Sequence, residues 1–308
     1  MAPGGCLACA ISSNHEKQTV LYVVCCRAEV FCDRNFLKRK GLPDVKPIVF
    51  LHLPKTAGQT IHHALGTICG EEKIAPFRLQ SQVSGPTSFP RGYILHSGHL
   101  HWDGLEAMLP QPFSFSVIRD PKERFASFYF YMRKKIRDQV ASGNPVRNHG
   151  IHAALTEPVE CFFFNQDDDL SVRIRLAWAN RTLTYFALRK LERRKEDQRL
   201  ELDDLVTAAL LNAEQLSAIY DFEDLSPLEA DIEQLWGQRP DIVGQNTNRG
   251  PLTQGVSRWA SLLDELGSDR LARGMESFVD EDEIFLGKLR AQGDGSDGRI
   301  TGSGVATS

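Results

Sequence analysis

Lys55, Thr56 and Thr60 surround Gly58 in the run Leu53-Pro-Lys-Thr-Ala-Gly-Gln-Thr60, and Arg119 stands eight residues before Ser127 in Val117-Ile-Arg-Asp-Pro-Lys-Glu-Arg-Phe-Ala-Ser127. Lysine is a mobile point charge, hydroxyls are neutral donors, and the planar fork of arginine matches a phosphate. Each run reads as an anion site, and two such sites suit a ligand with two separated anionic groups. Between them, Tyr93-Ile-Leu-His-Ser-Gly-His-Leu-His-Trp-Asp103 carries His96, His99 and His101, three of only nine histidines. Imidazole can take a proton from a hydroxyl near neutral pH. The H-x-x-H-x-H spacing could instead supply zinc ligands. The plainer alternatives are a solvated Lys55 and an Arg119 paired with Asp120 or Glu123.

Strand-to-helix junctions must position both anion runs. Ile48 to Leu53 is an almost wholly apolar run with β-branched members, as a buried parallel strand requires. Beyond Thr60, Ile61, Ala64, Leu65 and Ile68 recur at helical spacing. The turn between would form a nest of N–H groups at a positive helix end, built from Lys55, Thr56, Ala57, Gly58, Gln59 and Thr60. Phe113 to Ile118 reads as the second strand. Asp120 suits the N-cap of the following helix, Pro121 its first position, and Glu123 completes a capping-box pattern. That helix turns Phe125, Phe128, Tyr129, Met132 and Ile136 to one side. Further helical patterns cover 199–218, 226–237 and 256–290. The alternation predicts an α/β fold, a P-loop-like, mostly parallel sheet flanked by helices. A Walker A loop requires G-x-x-x-x-G-K-[ST], which neither the lysine before Gly58 nor Gly287-Lys-Leu289 satisfies.

The chain has 308 residues, 42% of them hydrophobic and 25% charged, in the range of an ordinary globular protein. Its net charge of -4 gives no ground for nucleic-acid binding, so any anion site must be local. No apolar run reaches the roughly 18 residues of a membrane helix. Cys6, Cys9, Cys25, Cys26 and Cys32 crowd the first 32 residues, while Cys69 and Cys161 are expected as reduced core residues. Residues 1–45 read as a variable appendage, 46–291 as one domain, and 292–308, rich in Gly, Ser and Thr, as a disordered tail. The expected location is cytoplasmic, with a Golgi or membrane association if the N-terminus is truncated.

Pro54-Lys-Thr-Ala-Gly-Gln-Thr60 resembles the 5′-phosphosulfate loop of sulfotransferases that use 3′-phosphoadenosine 5′-phosphosulfate (PAPS). It is nearest to the glycan type typified by heparan sulfate 2-O- and 6-O-sulfotransferases, whose loops read PKTGGTS. Gln59 departs from the usual Thr or Ser there. The Val117–Ser127 run resembles the 3′-phosphate motif LRDPVERFLS, which assigns Arg119 and Ser127 to phosphate and Arg124 mainly to structure. Gly98-His99 resembles the GH element in which nearby histidines act in catalysis. Asp241-Ile-Val-Gly-Gln-Asn-Thr-Asn-Arg-Gly250 resembles a later segment near the cleft, with Asn246, Thr247 and Arg249 as candidates. The resemblance spans about residues 47–290, and segment 138–200, which matches least, is expected to carry acceptor specificity.

The resemblance implies the sulfotransferase fold and transfer of a sulfuryl group from PAPS to a hydroxyl, of a carbohydrate first of all, with no metal required. Lys55 would stabilise charge on the sulfuryl group, and the base would be His99, then His101, then His96. Two alternatives stand beside it: a P-loop-like nucleotide-dependent kinase, and a non-catalytic binder of PAP or sulfated glycans.

Overall fold

The computed structural model describes residues 46–143, 158–164, 177–193, 196–244, 256–293 and 299–301. A five-stranded sheet forms its centre. β1 (Ile48–Leu51) leads through α1 (Gly58–Cys69) to β2 (Leu95–Gly98), and the chain then crosses to β3 (Phe113–Ile118) and α2 (Pro121–Ala141). α3 (Val159–Phe164), α4 (Arg181–Leu188) and α5 (Leu202–Ala213) precede β4 (Ala218–Asp221). α6 (Ser226–Trp236), α7 (Arg258–Leu266), α8 (Asp269–Glu276), α9 (Asp280–Gln292) and β5 (Arg299–Thr301) complete the order.

The strands lie in the order β2-β1-β3-β4-β5. The first three pairings are parallel, with Leu51 opposite Gly98 on one side and Ser116 on the other, and β5 runs antiparallel to β4. The chain leaves β1 for one neighbour and returns to the other, so a switch point lies between β1 and β3. In open α/β sheets ligands bind in the crevice at such a point, beyond the carboxyl ends of the strands. Both anion junctions begin there.

Alternation along the strands feeds two cores. Ile48 and Phe50 face one side with Phe113, Phe115 and Val117, covered by Ile61 and Leu65 of α1 and Leu228 and Ile232 of α6. Val49, Leu51 and Ile118 face the other, beneath α4, α5 and α9. A third cluster binds α2 to α3, α7 and α8 through Phe125, Tyr129, Phe162, Phe163, Leu262 and Met275.

Several expectations are corrected. The 256–290 pattern is three helices, because Gly267 takes a left-handed φ of 61° as a C-cap and the chain turns again at Ser277–Val279. The capping box at α2 is half made: Asp120 accepts from the N–H of Glu123 at 2.8 Å, but the Glu123 carboxylate goes to the start of α7. Cys69 is buried as expected, whereas Cys161 is exposed. Within the expected disordered tail, Arg299–Thr301 form β5: Ile300 is buried, and Arg299 reaches the buried Asp231 with its Nε at 3.1 Å. Among the described residues no helix is long and apolar enough to cross a membrane.

Candidate active site

The first junction is a strained turn closed by an uncapped helix. After Leu51 the chain passes His52, Leu53 and Pro54, and then Lys55 and Ala57 take left-handed φ values of 74° and 56°. Thr56, fully buried, donates its hydroxyl to the carbonyl of Leu53 at 2.9 Å, so that hydroxyl is committed to holding the turn. The N–H of Ile61 reaches Ala57 O and starts α1. No side chain caps this N-terminus, and its first turn carries no acidic residue. By contrast, α2 is capped by Asp120. The opening N–H groups of α1 and its positive dipole end therefore suit an external anion. Gln59 at this end is exposed and Thr60 is buried.

Lys55 stands over the ring of Tyr131 from α2, its Nζ 4.5 Å from the centroid. Burial, and then the charges of Arg119 and Arg258, push its pKa down to about 8. Arg119, at the end of β3, is almost wholly buried. Its guanidinium lies 4.4 Å over the Phe222 ring and 3.7 Å from the Glu123 carboxylate, and its Nε is buried with no hydrogen-bond partner. Ser127 lies buried on α2. Glu123 also accepts from Ser257 Oγ at 2.6 Å and from the Arg258 and Trp259 N–H groups at 3.2 Å, which draws the start of α7 to the second junction. Arg258 thereby joins Lys55 and Arg119. Its sequence signal was weak, an arginine at the head of a helix beyond the expected downstream segment. Arg249, Asn246 and Thr247 lie outside the described residues.

The ring of His99 is held by a backbone carbonyl and by a second ring. Its Nδ1 lies 2.8 Å from the carbonyl of His52, and the two rings stack at 4.2 Å and 23°. In neutral His99 that contact places the proton on Nδ1 and leaves Nε2 as an acceptor. Its pKa lies below the usual imidazole value, chiefly through burial and then through Arg181 and Arg78, although the bond to His52 opposes the shift. His96 is buried edge-on against Phe89 and Tyr93, and burial lowers it to about 4. The backbone N–H of His101 donates to Gln80 at 2.8 Å.

His52 is the residue that sequence reasoning missed, although it stands three positions before Lys55 within the same motif. It is 7% exposed, burial and surrounding charge hold it well below the usual imidazole pKa, and its Nε2 has no partner. A Cβ at position 58 would lie 1.8 Å from that Nε2. Gly58 is needed so that this ring can lie against the start of α1. Among the described residues no group of three or more His, Cys, Asp or Glu is arranged to hold a metal ion.

Together these residues can hold anions at two neighbouring strand ends and present a neutral imidazole beside one of them. Residues 43–206 match the sequence model of the sulfotransferase family. No curated protein matches the chain.

Proposed function

This chain belongs to the sulfotransferase family, and on that premise we propose that it uses PAPS to sulfate a hydroxyl of a carbohydrate acceptor. The observation that carries the reading is the pairing of Lys55, at an uncapped helix start, with the buried Arg119 at the neighbouring strand end. The residues fit such a donor. The α1 N-terminus lacks a side-chain cap, the Arg119 Nε lacks a partner, and the Lys55 ammonium is raised in energy by burial and by neighbouring cations until an anion arrives.

PAPS would supply an activated sulfuryl group and leave as PAP. Lys55 and the N–H groups opening α1 hold the phosphosulfate end and oppose the charge that develops there. Arg119 and Ser127 hold the 3′-phosphate, with Arg258 adding charge. His99 Nε2 takes the proton of the acceptor hydroxyl, while the His52 carbonyl keeps the His99 ring oriented.

The test is transfer of labelled sulfate from PAPS across an acceptor panel, together with calorimetry of PAP binding. Lys55→Ala should lower transfer by roughly 10²–10³-fold, as loss of a preorganised anion donor does. Transfer at the wild-type rate by Lys55→Ala, or a wild type that does not bind PAP, would refute the assignment.

A further inference from the structure

We infer that Tyr131 is a positioning residue for Lys55, its ring face holding the ammonium beside the start of α1 before the donor arrives and while the sulfuryl group is transferred. The inference rests on the sulfotransferase reading and adds a residue to that reaction.

Five cations among the described residues lie over aromatic rings, and four of them also form an ion pair. Arg119 pairs with Glu123, Lys122 with Glu276 and Glu283, Arg133 with Glu265, and Arg189 with Glu106. The fifth is Lys55, whose Nζ lies 4.5 Å from the Tyr131 centroid and which has no carboxylate partner among the described residues. An aromatic face attracts an ammonium without neutralising it. A carboxylate in the same place would compete with an incoming anion. The ring can therefore restrain the side chain and leave its N–H donors to a ligand.

Lys55 needs such a restraint. Its ammonium rides on a flexible four-carbon stem, and the charges of Arg119 and Arg258 oppose it. The left-handed φ of 74° sets only the direction in which the stem leaves the turn. Tyr131 is 40% exposed, so core packing does not account for its place. On α2, Glu123, Ser127 and Tyr131 follow one another at four-residue steps and share one face. Arg119 lies 3.7 Å from the first of them and Lys55 stands over the last. One face of a single rigid helix thus reaches from the guanidinium of the second junction to the ammonium of the first.

The test uses the full-length protein. In donor-free protein labelled with carbon-13 at lysine Cε, the ε-methylene protons of Lys55 are recognised by their loss in Lys55→Ala. The ring current of Tyr131 should shift them upfield. Tyr131→Phe should keep that shift and Tyr131→Leu should abolish it. Single-turnover transfer from PAPS to the acceptor that the wild type sulfates best should fall roughly 3- to 30-fold in Tyr131→Leu, the range for a cation over a ring. The ring of Tyr131→Phe should restore most of that rate. PAP affinity should fall by a smaller factor, because PAP lacks the sulfuryl group on which charge develops. Tyr131→trifluorophenylalanine keeps the ring's shape while cancelling the attraction of its face, and it should match Tyr131→Leu. In Lys55→Ala, adding Tyr131→Leu should cost nothing further. Absence of the upfield shift overturns the inference. So does a wild-type rate in the leucine or trifluorinated variant, or an undiminished loss in the Lys55→Ala background. Each of these leaves the donor assignment intact. A wild type that binds no PAP or sulfates no member of the panel removes the proposed function and this inference with it.

Discussion

Lys55 carries a charge that its surroundings oppose, and that opposition is measurable. With a pKa near 8 it begins to lose its proton just above neutrality, and a bound anion restores the charged form. PAP affinity should therefore be level below about pH 8 and fall as pH rises through that value. Binding at pH 8 should take up protons, read as a dependence of calorimetric heat on buffer ionisation enthalpy. Lys55→Arg should abolish that uptake, since guanidinium stays charged. His99 shifts in the same direction with a different consequence. Its depressed pKa keeps the ring neutral at physiological pH, so the acid limb of kcat/KM should lie below the usual imidazole value of about 6.5. His99→Ala should cost roughly 10²–10⁴-fold in rate and remove that limb. An unchanged pH profile in His99→Ala would transfer the role to another base. The two anion motifs and this histidine were legible because each lies within a few consecutive residues. His52 was not, because its importance comes from a stack across strands 47 positions apart and from a close approach to Gly58.

The loop between β1 and α1 combines strain with an enforced glycine. Ala57 adopts a left-handed conformation that costs an ordinary residue roughly 1–2 kcal/mol. Ala57→Gly should raise stability in urea unfolding by about 0.5–1 kcal/mol, because glycine's own entropic cost offsets part of the relief. Gly58→Ala should do the opposite. Its methyl group would collide with the buried His52 ring, and the displaced ring would cost about 1–3 kcal/mol and disturb the stack that orients His99. Comparable stability and transfer in Gly58→Ala would contradict the packing described. At α2 the sequence showed where the helix starts, and Asp120 caps it as its type predicts. It did not show that Glu123 would turn away to hold α7, since the partner lies 134 residues along the chain. Strand β1 ends at Leu51, before the expected Leu53, although the His52 N–H still donates to the Gly98 carbonyl at 3.1 Å; the turn leading to Lys55 starts at Pro54. Burial continues past the strand, as His52 and Leu53 lie buried before that turn.

Across the whole molecule, one buried ion pair ties three helices together. Asp282 of α9 is fully buried and accepts from Arg124 of α2 at 3.2 Å and from the N–H groups of Thr182 and Leu183 of α4 at 3.2 and 2.7 Å. Arg124 thus has the structural role that the resemblance assigned to it. Asp282→Asn would leave the Arg124 charge buried and unpaired. It should lower unfolding stability by about 3–5 kcal/mol, measured by denaturant titration, with the PAP affinity of the protein that remains folded little changed. A loss under 1 kcal/mol would show that the pair does not hold these helices together. By itself the sequence determined the class of fold, the two parallel strands and their helices, and the residue types at both anion junctions. Those features follow from apolar periodicity, caps and turns, which act over a few neighbouring residues. Only the tertiary structure decided that the two strand ends lie side by side at the switch point, and that His99 is the oriented imidazole. It also set Arg258 near Lys55 and Arg119, at the start of a helix far along the chain. These groups come from separate elements, and burial in a common core sets their charges and distances, which no local pattern encodes.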